Sequence, residues 1–474
     1  MGKMRKIAAG LAGAALLALA CAGCGSSKEP VTITVWNYYN GDQLEAFNAL
    51  VDTFNESVGK QEGITVRSES QGSVNDLETN VMNAAEGKVG ASELPNIFSA
   101  YADTAYALDQ LDMVVDLNDY LTEDEKNAYI KGYLEEGDFD GSGSIKIFPT
   151  AKSTELLFLN DTDWQTFAKA TGATYDDLAT VEGITKTAEA YYNWTDAQTS
   201  APDDGSALFG RDAMANYMLI GAKELGCTIF DVQDGKMTLN FDKAVVRKLW
   251  DNYYVPFIKG YFDATGHFRS DDIKTGTLLA YVGSNSSATF FPSNVMTSDT
   301  ESHEITLKVL PDPHFEGCDP VAVQQGAGMV VTKGDEDEIK ASVTFLKWFT
   351  APENNLAFSV GSGYLPVTKE ANREESLEKS SADITPQMTE VLKLAANAVS
   401  TETLYTTRAF AGGKDARKVL EYAMSDLAAA DRETVRTRIA AGQTAAEAEA
   451  EFLSDEYFEK WYQDTLTQLK TFEG

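Results

Sequence analysis

The first hundred residues alternate between short runs rich in β-branched residues and amphipathic helical patterns, and this alternation constrains the fold more than any other feature. Residues 31–36 form the first run, and apolar residues recur at helical spacing across 42–59. A second run at 63–67 precedes a helical pattern at 74–86, and a third run follows at 94–99. A β-α-β-α-β order predicts a parallel sheet, because parallel strands need a crossover between them. The predicted fold class is α/β.

Extended and helical patterns also occur further along the chain, and helices dominate its C-terminal part. Residues 145–148 predict a strand, and Asp234-Gly235 between extended runs at 228–232 and 237–241 predicts a hairpin. Helical patterns cover 161–172, 211–226, 242–254, 337–350 and most of 385–472. With 474 residues, the chain is long enough for two domains or one large domain.

The chain is strongly acidic, with 39 Lys and Arg residues against 73 Asp and Glu residues and a formal net charge of −34. Such a charge repels a phosphate backbone, and no long basic run occurs outside the first six residues. Nucleic acid is therefore excluded as a partner. The same charge disfavours contact with anionic lipid, so we expect membrane attachment through a lipid anchor only.

The first thirty residues have the character of an export signal. Basic residues lie close to the N-terminus, and an uncharged segment at 7–20 is too short to span a bilayer comfortably. The following Ala-Cys-Ala-Gly-Cys-Gly-Ser-Ser resembles the lipobox of bacterial lipoproteins. We predict a lipoprotein signal peptide at 1–23, acylation of Cys24 and a tether at 24–30, which anchors an extracytoplasmic protein to the cell membrane. Acylation of Cys21 and a conventional signal peptide with incidental cysteines are the alternatives.

The usual signatures of enzymes are absent from the sequence. It contains no phosphate-binding Gly-x-x-x-x-Gly-Lys-Ser/Thr loop, no Gly-x-Ser-x-Gly elbow and no His-Glu-x-x-His helix. The histidines His267, His303 and His314 are too scattered to indicate a metal site. We predict neither cofactor nor metal, and we expect a protein that is not an enzyme. A surface glycoside hydrolase stays an alternative, because that chemistry needs only two carboxylates.

Five segments, taken in order, resemble a known family. They are the lipobox, the strand ending at Val35-Trp36 with the helix after Gly41, Ser153-Thr-Glu-Leu-Leu-Phe-Leu-Asn160, Gly326-Ala-Gly-Met-Val-Val331 and Gly363-Tyr-Leu-Pro366. This order is similar to that of the family 1 extracellular solute-binding proteins, which deliver sugars and related solutes to ATP-driven (ABC) importers. Within the family, the likeness is closest to carbohydrate and glycerol-3-phosphate receptors.

The resemblance implies a periplasmic-binding-protein-like fold, in which two hinged α/β lobes with central sheets flanked by helices close over a ligand. Lobe 1 would comprise 31–152 plus 283–334, and lobe 2 would comprise 153–282 plus 335–474. The two remaining cysteines, at 227 and 318, would then lie in opposite lobes, so we expect free thiols. The resemblance also implies ABC permease subunits as partners and a monomeric receptor.

The resemblance also implies a set of ligand-binding residues. Hydroxyls and backbone amides bind ligand oxygens, arginine supplies a rigid donor fork, and loop tyrosines suit a sugar face unless they pack on the lobe. The chain departs from the glycerol-phosphate pattern at Gly72-Ser73-Val74 and at Ala102, so ligand identity does not transfer. The candidates are Tyr38, Tyr39, Asp103, Ser153, Glu155, Ser284, Gly326, Tyr364, Arg408 and Arg417.

Three functions follow from these observations. The first is a receptor for a neutral carbohydrate or polyol, and the second is a receptor of the same type for glycerol 3-phosphate or a glycerophosphodiester. The third is the surface lipoprotein hydrolase. The acidic charge favours a neutral ligand, whereas Arg408 and Arg417 favour an anionic one. For either receptor the expected mechanism is binding followed by closure of the lobes.

Overall fold

A computed structural model describes residues 30–233, 235–296, 300–380 and 385–474. The predicted signal peptide, Cys24 and the tether up to residue 29 lie outside the described residues. None of the helices in the described ranges combines the length and the apolar character needed to cross a bilayer.

Strands and helices alternate over the first two thirds of the chain, and helices prevail after residue 332. The strands are β1 (Val31–Asn37), β2 (Ile64–Ser70), β3 (Ile97–Ala100), β4 (Glu155–Asn160), β5 (Phe209–Arg211), β6 (Phe230–Gln233), β7 (Lys236–Leu239), β8 (Ala280–Ser284), β9 (Asn294–Met296), β10 (Ser302–Glu304), β11 (Leu307–Pro311), β12 (Val321–Val323), β13 (Gly328–Val331) and β14 (Thr403–Tyr405). The helices are α1 (Gly41–Glu56), α2 (Val58–Glu62), α3 (Val74–Ala85), α4 (Ala102–Gln110), α5 (Glu123–Ala128), α6 (Lys131–Glu135), α7 (Asp161–Thr171), α8 (Val181–Asp196), α9 (Met214–Glu224), α10 (Lys243–Ile258), α11 (Arg269–Lys274), α12 (Glu336–Phe349), α13 (Pro352–Ser362), α14 (Glu374–Ser380), α15 (Pro386–Thr401), α16 (Gly413–Tyr422), α17 (Ser425–Ala440), α18 (Ala445–Glu449) and α19 (Asp455–Lys470).

The first sheet has the strand order β13-β3-β1-β2. Strand β1 pairs in parallel with β2 and with β3, which confirms the predicted β-α-β-α-β unit. Strand β13 adds an antiparallel edge to β3. Ile33 and Val35 of β1 are fully buried, and the helical spacing of Phe47 and Phe54 places both rings of α1 in the same core.

The second sheet has the order β11-β4-β8-β5 and is covered on both faces. Strand β4 pairs antiparallel with β8 and β11, and all six of its residues are buried. Because side chains alternate along a strand, Leu157 and Leu159 pack in the core that contains α7 to α10, whereas Leu156 and Phe158 pack in the core that contains α15.

Three chain segments cross side by side between the two sheets. Ser153 and Gln325 exchange backbone hydrogen bonds of 3.0 and 2.9 Å, and Lys152 and Leu365 form a second backbone pair. Gly326 has a φ of +85°, and a Cβ there would lie 2.7 Å from the carbonyl oxygen of Ala151. Glycine is therefore required at this close crossing of two backbones.

The strand pairing alters the expected lobe boundaries. Strands β8 and β11 join β4 in the second sheet, so residues 283–311 do not accompany the first lobe. Helices α12 and α13 pack on α1, because Phe345, Phe349 and Phe358 fit against Phe47. We therefore propose lobes that follow the sheets, with 30–152 plus 326–367 in lobe 1 and 153–325 plus 368–474 in lobe 2.

The structure also bears on the predicted hairpin, the predicted strand at 145–148 and the two cysteines. The predicted hairpin forms between β6 and β7. The predicted strand at 145–148 was wrong, since only Phe148 makes a single bridge, to Met329. Cys227 and Cys318 are free thiols packed against the same core, so the lobes proposed above place both cysteines in lobe 2.

Candidate functional site

A cleft of about 530 Å³ lies between the two lobes. Lobe 1 contributes the N-terminal parts of α3 and α4 and Glu136, and lobe 2 contributes α9, the end of β14 and α16. In parallel sheets such as β1 to β3, ligands bind beyond the carboxyl ends of the strands. Tyr101 and Asp103 follow the carboxyl end of β3, so this sheet delivers them to the cleft.

Aromatic rings form much of the cleft wall. Tyr101 of lobe 1 is 36% exposed, and Tyr422 at the end of α16 is 54% exposed. Tyr405 ends β14, and Phe230 lies 5.4 Å from Phe410 between ring centroids. These rings come from both lobes, so a flat ligand between the lobes meets aromatic surface on each side.

Neutral polar groups are interspersed with the rings. Asn216 on α9 and Gln325 at the crossing both line the cleft. Gln324 is only 6% exposed, and its buried Nε2 donates to no partner in the described part of the chain. An unpaired buried donor costs about 1–3 kcal/mol, so this amide gains from a ligand oxygen that reaches it.

Three of the carboxylates that line the cleft already have partners. Glu78 of α3 pairs with Lys414 of α16, and this ion pair joins the two lobes. Glu136 pairs with Lys152, which is fully buried and also donates to the carbonyl oxygen of Gly326 at 2.8 Å. The Glu421 carboxylate accepts from two backbone N–H groups at the start of α9.

Asp103 lies directly against the first turn of α16. A Cβ on Gly413 would be 2.5 Å from Asp103 Oδ1, so these lobes touch at van der Waals distance here. Burial raises the pKa of Asp103 to about 6, and the positive charge of Arg417 opposes that rise. A helix N-terminus also favours an anionic Asp103.

Glu155 lies behind the cleft wall. Asn216 Nδ2 donates to Glu155 Oε1 at 2.7 Å, while Arg417 donates to Asn216 Oδ1. Burial, with a contribution from Asp312, raises the pKa of Glu155 to about 7, and Arg211 opposes that rise. Glu155 therefore contacts the cleft through the Asn216 side chain.

The predicted site residues separate into groups. Asp103 and Arg417 line the cleft, and Glu155 lies one side chain behind it. Arg408 is exposed and lines a neighbouring cavity of about 550 Å³ that also includes Asp140 of lobe 1 and Gln233 of lobe 2. Direct ligand contact by these residues stays a prediction.

The other predicted residues lie at the crossing between the lobes. Tyr38, Tyr39 and Tyr364 are buried together, with 3.3 Å between the Tyr38 and Tyr364 hydroxyl oxygens. Burial raises the pKa of all three hydroxyls, and it raises those of Tyr38 and Tyr39 well above the ordinary range. Ser153 and Gly326 belong to the crossing segments, and Ser284 caps the turn after β8. Ligand contact by this group also stays a prediction.

Sequence reasoning did not select several cleft residues. Tyr101 lies in the loop after β3, where a parallel sheet places ligand-binding residues, so its position was a usable signal. Asn216 lies within the buried helix α9, and Gln324 and Lys414 have no pattern that separates them from other polar residues. Only the packing of distant segments brings these three side chains together.

Comparisons with known proteins agree on one kind of protein. A family model described as bacterial extracellular solute-binding protein matches residues 49–386. The structure of the cyclic alpha-maltosyl-1,6-maltose binding protein from Arthrobacter globiformis has a TM-score of 0.66 at 15% identity, covering 93% of this chain and 100% of that chain. UgpB from Mycobacterium tuberculosis in complex with glycerophosphocholine has a TM-score of 0.67 at 19% identity, covering 92% and 99%.

A third similar structure is the GacH receptor of Streptomyces glaucescens, which was solved without ligand and in complex with acarbose. Its TM-score is 0.65 at 16% identity, and the match covers 93% of this chain and 99% of that chain. No curated protein sequence matches the chain. At these identities the structural likeness shows the two-lobed fold.

Proposed function

The chain belongs to the bacterial extracellular solute-binding proteins, and we propose that it binds a neutral carbohydrate or polyol in the cleft between its lobes. The receptor then delivers this ligand to the membrane permease of an ABC-type importer, with no chemistry on the ligand. The combination of aromatic rings and side-chain amides in the interlobe cleft carries the proposal. Rings cover the apolar face of a sugar, and amides bind its hydroxyls.

The charge of the cleft supports a neutral ligand. Four acidic and three basic side chains line it, so the wall has no excess of positive charge. Two of the acidic groups, Glu78 and Glu136, are already paired with lysines. An anion that enters this cleft must compete with those carboxylates for their lysine partners. A sugar instead exchanges its hydrogen bonds with water for hydrogen bonds to the cleft wall.

Closure of the lobes provides the mechanism. The Glu78–Lys414 pair and the contact of Asp103 with Gly413 join opposite lobes, so both exist only when the lobes are closed. A ligand that touches Tyr101 on one lobe and Tyr405 on the other adds contacts to the closed state alone. It therefore shifts the population toward closure by its differential affinity.

A glycerol phosphate or glycerophosphodiester is the alternative ligand class. The Arg417 guanidinium donates to the neutral Asn216 amide, and it has no carboxylate within ion-pair distance in the described part of the chain. A phosphate group would accept from such a donor fork more strongly than a hydroxyl. The likeness to UgpB, solved with glycerophosphocholine, supports the same alternative.

The proposal extends to location and assembly. The family is described as extracellular, and Cys24 would carry the lipid that holds the receptor at the cell membrane. The receptor acts as a monomer that docks on permease subunits in its closed form. Mass spectrometry of the N-terminal peptide tests the anchor, since acylation adds diacylglycerol mass to Cys24, and the same shift on Cys21 would refute this choice.

Ligand binding is tested by thermal shift and calorimetry on a panel of compounds. The neutral arm contains maltotriose, acarbose and glycerol, and the anionic arm contains glycerol 3-phosphate, glycerophosphocholine and inorganic phosphate. A ligand at 100 times its Kd stabilises the protein by about 2.7 kcal/mol. Binding confined to the anionic arm would overturn the neutral class, and release of free sugar from a glycoside would favour the hydrolase.

A pair of variants tests the site itself. Tyr101→Ala removes a cleft ring and should weaken binding of any panel ligand by about tenfold, as expected for loss of one ring contact of about 1.5 kcal/mol. Phe268→Ala is the matched control, because Phe268 is 56% exposed and lies outside the cleft. Equal effects of the two substitutions would contradict the assignment of the cleft.

A further inference from the structure

We propose that Glu155, which lies behind the cleft wall, is a positioning residue that holds the Arg417 guanidinium in place through the side-chain amide of Asn216. The relevance of this arrangement to ligand binding rests on the proposed function. The arrangement itself does not depend on the proposed function, since it consists of three side chains within lobe 2. Glu155 lies on β4, Asn216 on α9 and Arg417 on α16.

The chemistry of the three groups fixes the direction of the amide. Arginine has only donors, an ionised carboxylate has only acceptors, and an asparagine amide has one end of each kind. Asn216 Oδ1 faces Arg417 and Nδ2 faces Glu155, at 2.7 Å from Oε1. Turning the amide over would place two donors against each other on one side and two acceptors on the other.

Glu155 itself is held firmly. It is buried at the start of β4, an inner strand of the second sheet, and Gln325 Nε2 also donates to its Oε1 at 3.4 Å. Arg211 lies 3.9 Å from Oε2 and is shared with Asp312 at 3.1 Å. The carboxylate is therefore a fixed acceptor, and Asn216 transmits its position to the cleft.

Protonation of Glu155 removes the basis of this arrangement. A protonated carboxyl is a weaker acceptor and adds a donor, so Asn216 is no longer fixed in one direction. The charged groups that face Glu155 are Arg211 and Asp212 from the end of β5 and Asp312 after β11, and Glu224 on α9 lies close to Asp312. One arginine among these carboxylates favours retention of a proton by the cluster near neutral pH.

The closing experiment uses the ligand-free mature protein labelled with ¹³C and ¹⁵N in arginine and with ¹³C in the glutamate carboxyl groups. The Arg417 guanidinium resonances are followed from pH 5 to 8.5 in an Asp103→Asn background, since Asp103 also titrates near Arg417. We expect a shift with a midpoint near that of Glu155. Arg247, which is paired with Asp251 and Asp455 on the surface, is the internal control.

Two substitutions test the Asn216 amide and the Glu155 carboxyl separately. Asn216→Leu keeps the volume of the side chain but removes the amide, and Glu155→Gln removes the titration. Each should abolish most of the pH-dependent shift of Arg417, while Glu155 still titrates by its own carboxyl resonance in Asn216→Leu. An Arg417 shift that is absent from the parent protein, or unchanged in both variants, would overturn the proposal.

Circular dichroism and the melting temperature report whether each variant folds. If Glu155→Gln does not fold, the Asn216→Leu comparison still decides the question. Because no ligand is added, a panel in which nothing binds would count against the proposed function alone. A pH-dependent change of affinity that disappears in Asn216→Leu would connect the two.

Discussion

Replacement of Gly413 by alanine isolates the contact between the lobes. Gly413 opens α16 in lobe 2, and an added Cβ would lie 2.5 Å from Asp103 Oδ1 of lobe 1 and 3.2 Å from a ring carbon of Phe410. Ordinary van der Waals contact begins near 3.4 Å, so the two lobes must separate by roughly 0.9 Å or Asp103 must turn away. Within lobe 2, the added methyl group suits a helical position, and the Phe410 ring need shift by only a few tenths of an ångström to accept it.

The magnitude follows from overpacking. Forcing a methyl group into a filled space costs about 1–3 kcal/mol, and the clash with Asp103, which is the closer of the two contacts, applies only to the closed state. A factor of ten in an equilibrium corresponds to about 1.4 kcal/mol, so the ratio of closed to open molecules should fall roughly 5- to 150-fold. Ligand affinity should fall by the same factor, because only closed lobes hold the ligand on both sides.

Two measurements check this reasoning. Calorimetry gives the affinity for a panel ligand, and small-angle scattering gives the average separation of the lobes. Gly334→Ala is the matched control, because its nearest neighbour lies 3.8 Å from the added Cβ. Unchanged affinity in Gly413→Ala would refute the closure argument, and a large drop in the melting temperature without ligand would mean that Gly413 packs within one lobe.

Three further substitutions test charged groups of the chain. Glu78→Gln removes the partly exposed ion pair between the lobes, so ligand affinity should fall about two- to fivefold at low salt and less at high salt, while Glu86→Gln on the surface should have no effect. Lys152→Met leaves Glu136 buried without its partner, so urea unfolding should show a loss of about 3–5 kcal/mol, which the double variant with Glu136→Gln should partly recover; no loss would contradict a buried pair. Burial raises the pKa of Glu224 to about 7, so the folded protein retains a proton that the unfolded chain has released above about pH 4.5, and this contribution to stability is lost as pH rises toward 7. Calorimetry from pH 4.5 to 8 should therefore show Glu224→Gln gaining stability relative to the parent as pH rises, and a difference independent of pH would contradict the raised pKa.

Local sequence patterns were sufficient to predict the elements whose pairing partners lie close to them in sequence. The β-branched run of β1 and the helical spacing of Phe47 and Phe54 identified the first parallel unit, and Asp234-Gly235 identified the hairpin between β6 and β7. The strand predicted at 145–148 was wrong because its apolar residues fill the first core without a partner strand beyond Phe148. Burial alone does not distinguish such a segment from a strand.

The cleft was harder to predict because its walls come from segments far apart in sequence. Asp103 and Arg417 were selected through resemblance, and packing brings Arg417 onto Asn216, 201 positions earlier in the chain. Nothing in the local pattern of α9 distinguishes the cleft-facing Asn216 from a polar residue in an ordinary buried helix. The lobe boundaries depend on the same kind of distant packing, since α12 and α13 pack on α1 although they lie far from it in sequence.

The order of strands in the first sheet has a consequence for how the chain folds. Its edge strand β13 pairs with β3 across about 230 residues, and every strand of the second sheet lies between them in sequence. The first lobe thus remains incomplete until most of the second lobe has been synthesised, because β3 lacks its edge strand until then. Pairing over such separations makes folding slow, because loop closure must precede the contacts that stabilise it.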